Sequence, residues 1–213
     1  MRILVATRSA HKLREIRGIL RGLTEVELLS PEGVGLAYDP SEEETEAFET
    51  FEENALAKAR WFHERSGLPA LADDSGLEVD LLDGAPGVHS KRFAPQSDPD
   101  EARDRDALNN EHLLARLGDA PLAERTARFV CVAALVDGRS SPLIARGEAP
   151  GLILGRPRGW DGFGYDPLFF DPQSGRTFAE LSAEEKAALG HRGKAFREMS
   201  GLIRESVLSG SHD

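Results

Sequence analysis

Two adjacent carboxylates, Asp73 and Asp74, directly follow an apolar run that predicts a buried strand. Ser75 and Gly76 come next and predict a turn. Ligands of open α/β sheets bind beyond the carboxyl ends of the strands, so this pair is expected at a ligand site. Carboxylates in such a place suit Mg²⁺, which usually takes one or two protein carboxylates plus substrate phosphates. One group of the pair could hold the metal while the other orients or deprotonates water. The alternative is an ordinary polar loop in which Asp serves as a turn former.

The polar segment Thr7–Lys12 is a second candidate, because it lies between the apolar run Arg2–Ala6 and apolar residues at helical spacing. A strand, a short polar loop and a helix N-terminus together bind anions, since free backbone N–H groups and the helix dipole point at the ligand. Thr7 and Ser9 would add hydroxyl donors, either could cap the helix, and Lys12 would add a positive charge. The loop matches neither the Gly-rich dinucleotide fingerprint nor the Walker A pattern, and any turn from a strand to a helix could have this composition.

The charge balance limits the kind of partner. The 213 residues include 26 Lys and Arg and 37 Asp and Glu, which gives a net charge of −11 at pH 7. Such an acidic surface repels nucleic-acid backbones, so no DNA or RNA partner is expected. It would also repel a free polyphosphate, so a phosphate site requires a local cluster of cations and backbone N–H groups, helped by a metal.

The single cysteine bears on the chemistry of the protein, and the lack of long apolar stretches bears on its location. Cys131 is the only cysteine and lies in an apolar run, which predicts a buried, inert thiol rather than a nucleophile. No apolar stretch reaches membrane-spanning length, and the N-terminus lacks a signal-peptide pattern. A cytoplasmic protein without a membrane partner is therefore expected.

The elements expected to position these groups alternate between helical and extended patterns. A helix is predicted over roughly Phe48–Ser66, and a long strand over Thr126–Val136 is followed by a turn and a return strand of antiparallel character. Further helices are predicted to begin at Ser97-Asp98-Pro99 and, from a capping box, at Ala183. This order predicts an α/β fold with a mixed sheet, or a second lobe with the site in the cleft between lobes.

The segment Gly155–Pro167 is rich in glycine and contains Trp160, Phe163 and Tyr165. Such a loop can bring backbone and ring faces against a flat ligand, and an aromatic ring stacked on a base contributes about 1–3 kcal/mol in nucleic-acid sites. The alternative is a hairpin whose aromatic rings complete the core.

His191 and Arg192 follow Gly190, where the helix predicted from Ala183 would break, and they lead into a last helix. Two donors at a helix junction are well placed for a ligand. The alternative is that they interact with the dipole at the C-terminus of the preceding helix.

Five segments in a fixed order resemble the Ham1-like inosine/xanthosine triphosphate pyrophosphatase family over nearly the whole chain. They are Thr7–Lys12, Glu53–Ala59, Ala72–Leu77, Phe163–Pro167 and Lys186–Arg192. The resemblance implies one domain over residues 1–213, with an α/β fold whose mixed sheet forms two lobes around an active-site cleft, and a homodimer. It also implies Mg²⁺-dependent hydrolysis of ITP, dITP and XTP to the monophosphate and pyrophosphate, which removes them from the nucleotide pool.

The same resemblance implies a role for each matched residue. Asp74 would be the catalytic base and, with Glu46, a metal ligand, although Glu43 and Glu44 are alternatives to Glu46. Ser75 would contact the substrate. Lys58 and Arg92 would neutralise phosphate charge, and Lys186, His191 and Arg192 would close over the purine. The triphosphate loop would consist of Thr7, Arg8, Ser9, Ala10, His11 and Lys12. The base and sugar pocket would consist of Phe163, Gly164, Tyr165 and Asp166.

The sequence departs from the family pattern near the proposed ligand. The usual Gly and Asn of the first loop are Arg8 and Ser9 here, and the usual Ser before the His-Arg pair is Gly190. The family favours Thr-Gly after the metal-binding Glu, where this chain has Ala47-Phe48-Glu49. These departures affect the expected contacts to the phosphates and the choice of Glu46 as the metal-binding Glu.

Three alternative functions follow from the same residues. One is a pyrophosphatase of this class that acts on another modified nucleotide, and a second is a nucleotide-binding sensor without turnover. A haloacid-dehalogenase-like phosphatase would need two Asp separated by one residue, which the adjacent Asp73 and Asp74 do not match.

For the base, donors from the His191-Arg192 region would suit a 6-oxo purine and would face the 6-amino group of adenine donor to donor.

Overall fold

The computed structural model describes residues 1–95 and 104–209. Within these residues there are seven strands and five α-helices. In chain order they are β1 Arg2–Val5, α1 Ala10–Ile19, β2 Glu27–Leu29, α2 Phe51–Ser66, β3 Ala70–Val79, α3 Arg105–Leu117, β4 Thr126–Val136, β5 Leu143–Ile153, β6 Phe169–Asp171, β7 Arg176–Thr177, α4 Ala183–Leu189 and α5 His191–Ser209. The predicted helix start at Ser97-Asp98-Pro99 lies outside the described residues.

The seven described strands form one sheet in the order β2-β1-β3-β4-β5-β6-β7. Strand β1 runs parallel to both β2 and β3, with Leu4 opposite Ala70. Strand β6 is antiparallel to both β5 and β7, with Ile153 opposite Phe169. Parallel and antiparallel pairs therefore occur in one sheet, which confirms the predicted α/β fold with a mixed sheet.

The prediction that the third strand ends before the acidic pair is wrong. Strand β3 continues through Asp73 and Asp74 to Val79, because Leu77 and Val79 are fully buried and keep the chain extended. Pairing of β1 with β3 reaches only Leu71, since β1 itself ends at Val5. The two carboxylates thus lie on β3 just beyond the carboxyl end of the neighbouring strand, where ligands of such sheets bind.

The chain divides into two compact units. The first unit comprises Met1–Asp74, Cys131–Gly147 and the chain from Ala187 onward. Its core is apolar and is built from β1, α1, β3, β4 and α5. The buried members are Ile3, Val5, Ile16, Leu20, Leu23, Leu71, Cys131, Ala133, Leu135, Ala145, Ala195, Phe196, Met199 and Ile203. Gly147 allows β5 to approach the first turn of α5 closely, because a Cβ there would collide with the carbonyl oxygen of His191.

The second unit comprises Ser75–Val130 and Glu148–Lys186. Its described core contains three packed rings, with centroids 4.5 Å apart for Phe129 and Phe169 and 4.7 Å apart for Phe169 and Phe178. Gly151 of β5 lies directly against the Phe169 ring, where a Cβ would not fit. This aromatic group supports the strands on either side of the glycine-rich segment.

The helix predicted over Phe48–Ser66 and the predicted burial of Cys131 are both found, with a shift at the start of the helix. Helix α2 begins at Phe51 rather than Phe48, because Thr50 caps it by accepting a hydrogen bond from the Glu53 N–H. It ends at Ser66 and is followed by Gly67 in the left-handed conformation. Cys131 is fully buried, and burial raises the pKa of its thiol far above the ordinary value. No helix within 1–95 and 104–209 is long and apolar enough to cross a membrane.

Candidate functional site

The acidic pair on β3 is buried. Asp73 and Asp74 are 2% and 9% exposed. Successive side chains of a strand point to opposite faces, so the two carboxylates meet different neighbours. Asp73 Oδ2 lies 3.2 Å from Lys12 Nζ and 3.4 Å from Arg192 Nε. Asp74 Oδ2 accepts a hydrogen bond of 2.9 Å from Asn54 Nδ2.

These surroundings move the pKa values of the two carboxyl groups in opposite directions. Burial disfavours ionisation of Asp73, but the charges of Lys12, Arg192 and Lys58 outweigh it and hold its pKa well below the usual range. Burial raises the pKa of Asp74, and Lys58, Lys12 and the Asn54 hydrogen bond offset that rise only in part. Neighbouring carboxylates with separated pKa values are typical of sites where one group exchanges protons. Asp74 is therefore the better proton acceptor of the pair.

Lys58 of α2 is buried beside this pair. Its Nζ donates to Glu46 Oε1 at 2.5 Å and to the Asp73 carbonyl oxygen at 3.3 Å. Burial alone would lower the pKa of Lys58, but Glu46, Asp74 and Asp73 raise it above the ordinary value. Lys58 thus stays charged and places a cation among three carboxylates.

The donor set fits a metal that is shared with a substrate. In the described part of the chain, no group of three or more His, Cys, Asp or Glu side chains is arranged to hold a metal ion. The negative charge of Glu46 raises the pKa of Asp74, so these two carboxylates repel each other and would gain from a cation. Mg²⁺ is commonly held by one or two carboxylates together with substrate phosphates. Of the other candidate glutamates, Glu43 accepts a hydrogen bond from Tyr38 at an exposed position.

The loop after β1 is held mainly by its own residues. Ser9 Oγ caps α1 by accepting from the Lys12 N–H at 3.3 Å, and the Ser9 N–H donates to Thr7 Oγ1 at 3.2 Å. Ala10 and His11 are exposed, and the His11 ring lies 3.0 Å from the Arg14 guanidinium. This geometry confirms a helix N-terminus after β1 and places Lys12 against Asp73.

Arg8 turns toward a different segment. Its Nη1 donates to Leu36 O at 2.8 Å and Glu32 Oε1 at 3.2 Å. Its Nη2 donates to Ala37 O at 2.9 Å and Glu42 Oε1 at 2.6 Å, and its Nε to Glu42 Oε2 at 3.2 Å. The five N–H groups of the guanidinium thus all bind residues between positions 32 and 42.

His191 and Arg192 are the first residues of α5, and each is 4% exposed. Arg192 forms ion pairs with Asp73 and Glu15. Burial opposes its charge, but Asp73 and Glu15 reverse that effect and raise the pKa of Arg192. The structure therefore brings Arg192 to the acidic pair, as one of the counter-charges that keep Asp73 ionised.

A separate group of predicted residues lies within the second unit. Lys186 Nζ donates to Asp166 Oδ2 at 2.6 Å and lies 4.7 Å from the centroid of the Phe163 ring. The same Asp166 oxygen accepts from the Phe163 N–H at 2.9 Å. Gly162 has a φ of 84°, and a Cβ there would collide with the Asp166 carboxylate. An aromatic face, a cation and a buried carboxylate are thus held together.

Ser75 and Arg92 complete the predicted set. Ser75 follows Asp74 on β3 and is half-buried. Arg92 is exposed and, together with Phe93, Ala94, Pro95 and Arg105, lines an open cavity of about 440 Å³ in the second unit.

Two residues of α3 were not among the predicted site residues, although they fix the loop that carries Phe163. Asp106 Oδ2 accepts from the Gly164 N–H at 2.7 Å, and Asn110 Nδ2 donates to Gly164 O at 2.9 Å. The adjacent Tyr165 donates its hydroxyl hydrogen to Ser90 O at 2.9 Å and is buried. The only signal in the sequence is that Asp106 and Asn110 lie four residues apart and thus share a helix face.

Asn54 is the other residue that was not predicted as part of the site. Besides Asp74, it contacts the backbone of Phe48, whose N–H donates to Asn54 Oδ1 at 2.9 Å. A buried Asn inside a helix that otherwise carries an apolar face is the signal that could have identified it.

Comparisons with known proteins identify the family of this chain. The sequence matches the model of the Ham1 family over residues 3–202. It is 48% identical over 212 residues to a dITP/XTP pyrophosphatase of Frankia alni, covering 98% of this chain and 100% of the relative. It is 50% identical over 194 residues to a dITP/XTP pyrophosphatase of Geobacter sulfurreducens, covering 91% and 92%. The structure is similar to that of a HAM1 protein from Coxiella burnetii, with a TM-score of 0.81, 38% identity and coverage of 96% and 99%.

Proposed function

Because this chain belongs to the Ham1 family, we propose that it hydrolyses the purine nucleoside triphosphates ITP, dITP and XTP to the monophosphate and pyrophosphate. The observation that carries the proposal is the acidic pair, in which Asp73 is held ionised while the pKa of Asp74 is raised. A raised pKa on a buried carboxylate beside two lysines is what removal of a proton from water near a polyphosphate requires.

Asp74 acts as the general base in this proposal. It accepts a proton from a water molecule that attacks phosphorus, and the bond between the α- and β-phosphoryl groups breaks to release pyrophosphate. Asn54 holds the carboxylate by donating to Oδ2, and Oδ1 is the oxygen that is proposed to take the proton. No covalent intermediate is needed, in keeping with the buried thiol of Cys131.

Charge neutralisation is the second requirement, because a triphosphate carries several negative charges that increase on the leaving group as the bond breaks. Lys12 and Lys58 supply fixed positive charges beside Asp74. Asp74 and Glu46 would hold Mg²⁺, which lowers the charge on the phosphates and assists formation of the nucleophile. Ser75, Arg92 and the backbone of Thr7–Lys12 are proposed to contact the phosphates.

The base is proposed to bind at Phe163, Asp166 and Lys186. The ring offers a flat apolar face, and the ammonium group offers donors to the 6-oxo group of hypoxanthine or xanthine. Adenine would present its 6-amino group to the same donors, which leaves buried donors unpaired and lowers affinity. A role for His191 and Arg192 in closing over the purine stays a prediction.

We further propose that the protein is a cytoplasmic homodimer without a nucleic-acid or membrane partner. The net charge of −11 supports the absence of a nucleic-acid partner. Light scattering coupled to size exclusion tests the dimer, and a monomer at micromolar concentration would contradict it.

The activity is tested by measuring pyrophosphate released from ITP, XTP, GTP and ATP with Mg²⁺, for the wild type, Asp74→Asn and Asp119→Asn. The last variant changes an exposed Asp two residues beyond the end of α3 and serves as the matched control. We expect pyrophosphate from ITP and XTP only, a rate at least about 100-fold lower for Asp74→Asn, and no change for Asp119→Asn. Release of orthophosphate would instead indicate a phosphatase, and tight ITP binding without turnover would indicate a sensor.

A further inference from the structure

Glu46, the proposed metal ligand, lies at the end of a short acidic element. This element is the 3-10 helix Pro40–Glu46, and Glu42 lies within it, four residues before Glu46. Glu46 lies in neither a strand nor an α-helix, so its position depends on what holds the 3-10 helix and on the ion pair of its carboxylate with Lys58. A short 3-10 helix has poor internal hydrogen-bond geometry and needs external support.

Contacts are found on both sides of Glu46. After it, Asn54 of α2 binds both the backbone of Phe48 and the carboxylate of Asp74. Before it, Arg8 binds Glu42 through two nitrogens, at 2.6 Å and 3.2 Å. The paired bonds are a fork-to-carboxylate contact, which fixes orientation as well as distance.

The remaining donors of Arg8 bind the preceding stretch of the same segment. They contact the carbonyl oxygens of Leu36 and Ala37 and the carboxylate of Glu32. Arg8 thus joins the loop after β1 to the whole stretch that leads to Glu46. Five bonds use the five N–H groups of the guanidinium, and Glu32 and Glu42 balance its charge.

We propose that Arg8 is a positioning residue, which holds Glu46 in place by clamping the segment 32–42 onto the loop after β1. The inference rests on the proposed function, because Glu46 is a metal ligand only there. It replaces the sequence-based expectation that Arg8 contacts the triphosphate. A guanidinium whose donors are all engaged by protein groups would have to give up bonds of 2.6–2.9 Å before it could bind a phosphate.

The clamp is not the only support of the 3-10 helix, which limits the expected effect. Trp61 Nε1 and Arg65 Nη2 of α2 both contact Ser41 Oγ, at 3.1 Å and 3.3 Å. Loss of the Arg8 bonds should therefore loosen the segment without unfolding the protein. Residues that support a metal ligand are commonly worth 10- to 100-fold in metal affinity, and the lower end is expected here.

The first test uses the full chain without nucleotide or metal. Hydrogen–deuterium exchange is measured on peptides covering residues 38–48 for the wild type, Arg8→Ala, Arg8→Lys and Arg17→Ala. Arg17 is an exposed arginine of α1 with one long bond to Leu28 O, and it is the matched control. We expect exchange about tenfold faster in both Arg8 variants and unchanged in Arg17→Ala. Unchanged exchange in the Arg8 variants would overturn the clamp.

The second test separates a positioning role from direct phosphate binding. For Arg8→Ala, the Mg²⁺ concentration at half-maximal ITP hydrolysis should rise about tenfold, while KM for ITP at saturating Mg²⁺ stays within about twofold. Lysine cannot reproduce the fork, so Arg8→Lys should behave like Arg8→Ala. A raised KM that Arg8→Lys restores would overturn the proposal, because a point charge suffices for a phosphate contact.

Glu42→Gln provides an independent check. If Arg8 acts through Glu42, the effects of Glu42→Gln and Arg8→Ala on half-saturating Mg²⁺ should not add in the double variant. If Arg8 bound phosphate, Glu42→Gln would release it and lower KM for ITP. A wild type that fails to hydrolyse ITP would refute the proposed function alone, because the exchange experiment would still test the clamp.

Discussion

The two clusters of candidate site residues are held in place by different forces. The first, which comprises Asp73, Asp74, Lys12, Lys58 and Arg192, consists of charges that compensate one another, all of them buried except the half-buried Lys12. The second, which comprises the Phe163–Asp166 loop and Lys186, contains a close ion pair between Lys186 and Asp166, and its loop is held mainly by hydrogen bonds to backbone groups and by ring contacts. Removing a charge from the first should therefore change stability and proton affinity, whereas changes around the second should alter binding geometry.

The largest expected effect is a loss of protein stability when a charge of the first cluster is removed. Arg192→Leu removes one of the cations that keep the buried Asp73 ionised, and loss of one partner from a buried ion pair costs about 3–5 kcal/mol. Urea denaturation should show this decrease in the free energy of unfolding. Arg204→Ala is the control, since its pair with Glu25 spans 4.0 Å at the surface and should contribute less than about 1 kcal/mol. Equal losses in both variants would show that buried charges do not dominate the first cluster.

A substitution next to Asp74 should alter the proton affinity of the Asp74 carboxyl group. Asp74 is a base only when deprotonated, so kcat/KM for ITP should rise with pH through its raised pKa. The hydrogen bond from Asn54 lowers that pKa, so Asn54→Ala should move the acid limb of the profile to higher pH and reduce kcat about 10- to 100-fold. Glu52→Ala, an exposed change on the same helix, should leave the limb in place. An unmoved limb in Asn54→Ala would argue against Asp74 as the base.

The smallest effect is expected around the second cluster. Asp106→Ala and Asn110→Ala each remove one hydrogen bond to the backbone of Gly164, worth about 1 kcal/mol. KM for ITP should rise about fivefold in each, with kcat and the pH profile unchanged, because Phe163 would be less well held. Steady-state kinetics at several pH values measures KM, kcat and the pH profile. A shift of the acid limb in either variant would break the distinction between the clusters.

Sequence patterns were sufficient to predict local structure where that structure depends on residues close together in the chain. The cap at Ser9, the C-terminal Gly67 and the capping box of Ser182 and Glu185 were all predictable, because each involves residues at most a few positions apart. Strand β2, Glu27–Leu29, was not predicted, since three half-exposed residues at a sheet edge show no periodicity. The end of β3 was misplaced for a related reason, because a serine and a glycine predict a turn only when nothing further along keeps the chain extended.

By itself, the sequence determined most of the element types, the mixed α/β class and, through five ordered segments, the Ham1 family. Only the tertiary structure decided which carboxylate of the pair is held ionised, since Arg192 is 119 residues from Asp73. It also decided that Arg8 binds the segment before Glu46 and that α3 supports Gly164. Such contacts join residues far apart in the chain, and their electrostatic effect depends on burial, which no local pattern of residue types encodes.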